Sequence, residues 1–280
     1  MFFRPPFFLQ EMPMLIPALA KHSLRIATAA LMLAMAGCAT PPPADDPEAV
    51  AEFKQLNDPF EPANRAIFKF NDVLYVNVWH PVATGYREAV PEFGRDRISD
   101  FLTTLKLPVV FANDVLQLNF TRAGEALERL ALNLTFGVGG IMDVATPLGI
   151  PRHDADFGQT LAVWGVGEGP YLVLPVVGPS NPRDGFGFLV DSYADPVDQY
   201  LQDNRMSWVA EMRFGISVVT VFEANIDTLD DVKRSSMDYY SALRSAYRQR
   251  RAAEINEATS PSVGWVHFMP HWSWSQLGIQ

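Results

Sequence analysis

A single cysteine, Cys38, stands among the 280 residues, so no disulfide can form within the chain. Charge is scarce as well. Charged residues make up 19% against 48% hydrophobic, with 22 Lys and Arg facing 32 Asp and Glu. Residues 1–37 hold Arg4, Lys21, Arg25 and Glu11, which leaves 19 basic against 31 acidic side chains beyond them, a net −12. Such a chain lacks the clustered cations that a phosphate backbone requires, which excludes nucleic acid as a partner. Attachment to anionic headgroups by charge is disfavoured too, so any membrane contact has to be mainly apolar. The body also lacks an uninterrupted apolar run of the ~18 residues a spanning helix needs. Its longest uncharged stretches carry prolines or are broken by Asp143, Glu168 and Arg183. There is no Gly-x-Ser-x-Gly elbow for a lipase nucleophile, no Gly-Lys-Ser/Thr segment for ATP, and no internal repeat. Neither catalysis nor a cofactor is expected.

What is present begins with an export signal. Lys21 and Arg25 precede an uncharged run from Ile26 to Ala36, then Gly37 and Cys38. That run is too short to cross a bilayer, which takes about 20 residues. Residues 1–20 carry Pro5, Pro6, Pro13 and Pro17 among aromatics, unusual for a signal's first region, and leave Met12 and Met14 open as starts. Residues 38–56, with Pro41-Pro42-Pro43, Asp45, Asp46 and Pro47, have the composition of a solvated tether. A folded body over 57–258 and a tail over 259–280 follow. The tail holds Trp265, Phe268, Trp272 and Trp274, which suits an interfacial belt, a docking strip or a poorly ordered terminus.

The body's periodicity is helical. Asp58 as cap, Pro59 at the first position and Glu61 completing a capping box predict a helix carrying Phe60, Ala63, Ile67, Phe70, Leu74 and Val78 as one stripe. Phe68, Val73, Tyr75, Val76 and Trp79 make its remaining sides apolar, and Pro81 is expected to end it. Further helices are expected at Phe93–Leu105, Val109–Leu118, Arg122–Phe136 (capped by Thr121), Gly187–Gln202, Trp208–Leu229 and Ser236–Ala258. Between Gly137 and Gly187 the abundance of Gly and Pro predicts loops. An apolar helical body without a spanning helix fits a soluble protein with a large core or one lying in a single leaflet; composition alone favours the former.

Among the motifs, Gly165, Gly167 and Gly169 follow no strand–glycine–helix order, and Gly137-Val138-Gly139-Gly140 follows a helix, which suits a C-cap and tight turn. His80, His153, His267 and His271 remain after the signal. His153-Asp154-Ala155-Asp156 has metal-ligand residue types, but in a loop the polar-turn reading prevails. Arg244, Arg248, Arg250 and Arg251 crowd the end of the last helix, either as a solvated face or as a basic ridge toward headgroups or an acidic partner.

Met35-Ala36-Gly37-Cys38 resembles the lipobox of bacterial lipoproteins, with Met35 where Leu is commoner, and implies lipidation of Cys38; a plain secretory signal is the alternative. Ala39 in place of Asp implies sorting to the outer membrane. The segments Asn57-Asp58-Pro59-Phe60-Glu61-Pro62 with Asn64-Arg65, Gly137 through Gly140 with Asp143, Phe157-Gly158-Gln159-Thr160 and above all Gly165 through Asp184 resemble the VacJ/MlaA family of phospholipid-transport lipoproteins. The resemblance covers about Asn57 to Ala258 and leaves out the Trp-rich tail. It implies an all-α, ring-shaped body lying in one leaflet of the outer membrane, with Gly/Pro-rich loops, and so reverses the preference for a soluble core. An amphipathic channel would take mislocalised phospholipids from the outer leaflet. The partners it implies are a trimeric porin and a soluble periplasmic carrier of an ABC-type lipid transport system. Channel-loop positions implied are Gly137, Gly139, Gly140, Gly165, Gly167, Gly169, Pro170, Tyr171, Leu174, Pro175, Gly178, Pro179, Arg183 and Asp184. An adaptor lipoprotein that binds a porin without conducting lipid is the competing reading.

Overall fold

A computed structural model describes residues 58–259; the proposed signal, Cys38, the tether and nearly all of the tail lie outside the described residues. The described chain is mostly helical. Helix α1 spans Glu61–Leu74, with Pro62 in its first turn and Phe60 as the capping residue. The start thus falls later than Pro59, and Glu61 bonds Arg65 at 2.7 Å instead of closing a capping box. Pro81 does not end the helical run. Tyr75–Trp79 widens into a π turn in which the His80 N–H reaches back to the Tyr75 carbonyl, and α2 continues over His80–Ala89. Widening makes room for a ring that would otherwise strike the carbonyl four residues back.

Helix α3 (Glu92–Leu116) likewise passes through Pro108, where two helices were expected. An internal proline costs about 3 kcal/mol. The extensive packing of α3 against α4 (Phe120–Thr135) offsets that cost. Asn119, not Thr121, caps α4 by accepting the Arg122 N–H at 3.3 Å. Gly137 and Gly140 then close the turn. A Cβ on Gly137 would lie 2.2 Å from the Met142 carbonyl oxygen; Gly140 has φ +92° and lies against Thr104. This is the tight turn expected from its place after a helix.

The expected loop region holds α5 (Phe157–Val163), capped by Asp156, and a hairpin of β1 (Leu172–Leu174) and β2 (Gly178–Ser180), pairing Val173 with Pro179. The helix expected at Gly187–Gln202 is two: α6 (Pro182–Ala194) and α7 (Pro196–Asp203). Pro196 forces Asp195 out of the helical region, and Asp195 caps α7. α8 (Ser207–Ser235) and α9 (Tyr239–Thr259) complete the body. α3 packs on α5, α5 on α9, α9 on α8, and α8 returns to α3, a closed circuit of helices.

Burial is inverted. Buried apolar side chains are mostly Ala and Val, in small clusters such as Val110, Ala126 and Ala155. Meanwhile Phe93, Phe136, Phe186 and Trp208 are more than half exposed, while Asp114 and Arg129 are 0% and 1% exposed. On α1 the one buried residue is Asn64, and Phe70 and Val73 face outward. An apolar exterior this extensive marks a surface that meets lipid or protein. No described helix is long and apolar enough to cross a membrane.

Asn64 also shows how polar side chains position the hairpin. Its amide donates to the Tyr171 carbonyl and accepts from the Val173 N–H, both at 2.9 Å. One heptad on, Asn71 repeats this with the Leu174 carbonyl at 2.9 Å and the Val176 N–H at 2.8 Å. Seven helical residues rise about 10.5 Å and three strand residues about 10 Å, so the two clamps match. Asn64→Ala strands two buried backbone groups and is expected to lower stability by about 2–4 kcal/mol. The half-exposed Asn71→Ala should lose less; urea unfolding of both variants checks the order.

Candidate functional site

Inside the helical circuit lies a cavity of about 610 Å³, within the usual range of ~300–1,000 Å³ for ligand sites. Its walls come from periodic stripes. α6 supplies Asp184, Phe188 and Asp191, with Asp195 one turn on at the cap of α7; α9 supplies Tyr247, Arg250, Arg251 and Glu254. Spacings of three and four place each set on one helix face. From α3 come Lys106 and Val109, and from α8 Arg213, Phe214 and Ser217. Apolar Val109, Pro179, Phe188 and Phe214 thus share the lining with many carboxylates and guanidiniums.

Arg251 is the hub. Its guanidinium bonds both oxygens of Asp156 at 2.7 Å, both oxygens of Asp184 at 3.0 Å, and Glu254 at 3.0 Å. Asp184 also accepts from the Tyr247 hydroxyl at 2.6 Å, Asn181 at 2.7 Å and Arg183 at 2.9 Å. α5 and α6 approach so closely here that a Cβ on Gly187 would lie 2.3 Å from the Gly158 nitrogen. A Cβ on Gly158 would meet Arg251 at 2.6 Å. Both glycines are therefore required by the ion cluster beneath them.

Behind the cavity, the buried His153 Nε2 lies 2.8 Å from Asp114, and Arg129 bonds Asp143 at 2.7 Å and the Ile150 carbonyl at 2.6 Å. His153-Asp154-Ala155-Asp156 is an irregular segment and not the turn expected of it; its three polar members serve separate ion clusters, and Ala155 packs against Val110 and Ala126. No metal-holding group of His, Cys, Asp or Glu is found among the described residues. The arginines of α9 divide as well: Arg244 lies over the Tyr240 ring, Arg248 over Tyr171, Arg250 pairs with Glu254, and Arg251 is buried.

Burial pushes the Asp156 and Asp184 carboxyls up, but the guanidinium hydrogen bonds of Arg251 and Arg183 outweigh it and hold both below the usual carboxylate range. Asp143 moves the same way: burial is outweighed by bonds from Thr146 and Arg129. Carboxyls depressed in the folded state bind fewer protons there than in the unfolded chain. Their stabilisation is therefore complete above the unfolded pKa of about 4 and is lost as pH falls below it. Burial raises Asp191 and Glu125, which act in the opposite sense. The urea midpoint is expected to fall between about pH 5 and pH 3, and a flat profile would contradict the net dominance of the depressed set.

Of the channel-loop positions drawn from the sequence, Pro179 and Asp184 line the cavity. Gly137, Gly139 and Gly140 form the turn after α4, and Gly165 (φ +86°) and Gly167 have open space around them. Gly169 abuts Pro182, Pro170 is half-buried, Tyr171 is buried beside Tyr240, and Leu174, Pro175 and Gly178 belong to the hairpin. Arg183 is buried against Asp184. Sequence reasoning did not single out Asp191, Arg213 or Glu254, and named Asp156 only as part of a polar turn. The stripe Asp184, Phe188, Asp191, Asp195 was the available signal.

The model of the MlaA lipoprotein family matches residues 56–254. The chain belongs to this family. The Escherichia coli (strain K12) relative, "Intermembrane phospholipid transport system lipoprotein MlaA", is 34% identical over 201 residues, 69% of this chain and 76% of that one. The Haemophilus influenzae protein of the same name is 31% identical over 229 residues, 80% and 87% of the two chains. A chain solved for the "Structural basis for maintenance of bacterial outer membrane lipid asymmetry" superposes with TM-score 0.63 and 33% identity, covering 71% of this chain and 99% of that one. The inverted burial and the cavity lined by both charged and apolar groups are thus features of an MlaA lipoprotein family member.

Proposed function

We propose that this protein is an outer-membrane lipoprotein, anchored through Cys38, that takes mislocalised phospholipids from the outer leaflet and passes them to a periplasmic carrier. The carrying observation is a cavity lined by both charged and apolar groups inside a body whose exterior exposes many large apolar side chains. A diacyl lipid must keep its headgroup solvated and its tails dry, since each exposed methylene costs about 0.8 kcal/mol. A two-natured lining meets both needs. The relatives named as intermembrane phospholipid transport lipoproteins support the same reading. The porin partner belongs to this proposal, as do the channel-shaping roles of Gly137–Gly140 and Gly165–Gly178.

The test is a deletion strain assayed for phospholipid in the outer leaflet. Accumulation, reversed by the intact gene, is the expected result; unchanged asymmetry would leave only the adaptor role. Protein recovered from the periplasm without detergent, with Cys38 unmodified, would remove the anchored reading.

A further inference from the structure

Every cation in the cavity lining already has carboxylates. Lys106 pairs with Asp154 at 3.0 Å, Arg213 with Asp195 and Asp198 at 2.8 and 2.7 Å, Arg250 with Glu254 at 2.7 Å, and Arg251 with its own cluster. A phosphate entering here finds no uncommitted positive charge. Asp191 is the opposite case. Among the described residues no Lys or Arg approaches its carboxylate to ion-pair distance, and its oxygens accept only from the Asn113 amide at 2.9 Å and the Phe157 N–H at 2.8 Å. A carboxylate offers about four acceptor positions, so capacity remains. Burial raises its pKa, whereas the cation-paired Asp154, Asp156 and Asp184 are all lowered. Such a carboxylate is stabilised by an arriving cation.

A second observation points the same way. Gln159 lines the same cavity and is 1% exposed, and its Oε1 accepts no hydrogen bond within the protein. An orphan acceptor and a carboxylate without an ion-pair partner, both in one cavity lining with Lys106 the cation acting on Asp191, suit a group with several N–H donors and a positive charge. The crossing at Gly158 and Gly187 holds their helices, α5 and α6, together.

We propose that Asp191 and Gln159 form an ammonium site, so that the cavity admits phospholipids with a primary-amine headgroup ahead of net-anionic ones. This rests on the conduit reading above and adds headgroup selection to it. The experiment uses the full lipidated chain in nanodiscs, exposed to vesicles containing equal phosphatidylethanolamine, phosphatidylglycerol and N-acetyl-phosphatidylethanolamine. The last keeps tails and phosphate but lacks the cation. Lipid taken up by the protein is quantified by mass spectrometry. Phosphatidylethanolamine is expected to be enriched about fivefold over both others, the scale of one partly exposed ion pair. Uptake in the vesicle ratio, or preference for either anionic lipid, overturns the selection while leaving the conduit standing. Absence of uptake overturns the conduit and the ammonium site with it. Asp191→Asn is expected to abolish the preference for phosphatidylethanolamine; retention of the fivefold ratio overturns the assignment to Asp191.

Discussion

Replacing Arg251 by methionine is expected to destabilise the body by about 3–5 kcal/mol, the usual consequence of removing one partner from a buried ion cluster. For a domain of this size that corresponds to a fall in Tm of roughly 10 °C. The side chain of Arg251 is only 10% exposed, and its loss leaves Asp156 without a cation beside an Asp184 held by Arg183 alone. Both carboxyls would then rise toward protonation. Arg251→Lys keeps the charge but cannot bond two carboxylates in fork geometry, so an intermediate loss is expected. Combining Arg251→Met with Asp156→Asn and Asp184→Asn removes the stranded charges and should recover part of the stability. Thermal melts of the set decide the matter. If Arg251→Met melted with the wild type, the cluster would be an unimportant surface feature.

The second large effect concerns passage. Ser192 on α6 and Ser217 on α8 are small and line the cavity. Each gives its hydroxyl to its own helix, to the Phe188 and Arg213 carbonyls at 2.7 and 2.8 Å, so neither holds elements together. Placing Trp at both positions fills the cavity and is expected to raise outer-leaflet phospholipid to the level of a deletion strain. Stability should change by only about 0.5 kcal/mol per site, as for surface substitutions free of special contacts. Gln249→Trp, on an exposed part of α9 that does not line the cavity, controls for an added indole. A stably folded double variant with normal asymmetry would show that lipid does not pass this way, leaving the adaptor reading in possession.

Helical content was legible because apolar residues recur at spacings of three and four, and the Gly137–Gly140 turn because only a helix precedes it. The boundaries that moved did so for identifiable reasons. Pro81 looked like a helix end from local rules, and a break was expected between Leu105 and Val109, but a π turn absorbed the first and packing against α4 carries α3 through Pro108. Pro196 acted as local chemistry dictates and split what read as one helix. The glycines near Gly165 drew notice through their density, whereas the cavity's charged lining is spread over α3, α5, α6, α8 and α9. Distances of up to 95 residues, as between Asp156 and Arg251, leave no local trace.

Composition and periodicity by themselves determined an acidic chain with a mostly helical body that lacks the apolar run of a spanning helix, and the motif run to Asp184 determined its family. Which face of each helix points inward was decided only by the tertiary structure. A two-sided helix has the same spacing whether its apolar stripe meets a core or a lipid phase, so the pattern is silent on sign. The fold settles it by closing α3, α5, α9 and α8 around Arg251 and its carboxylates. A buried charge is tolerable only when partners from several elements surround it, and that is a condition on three-dimensional neighbours, not on sequence spacing.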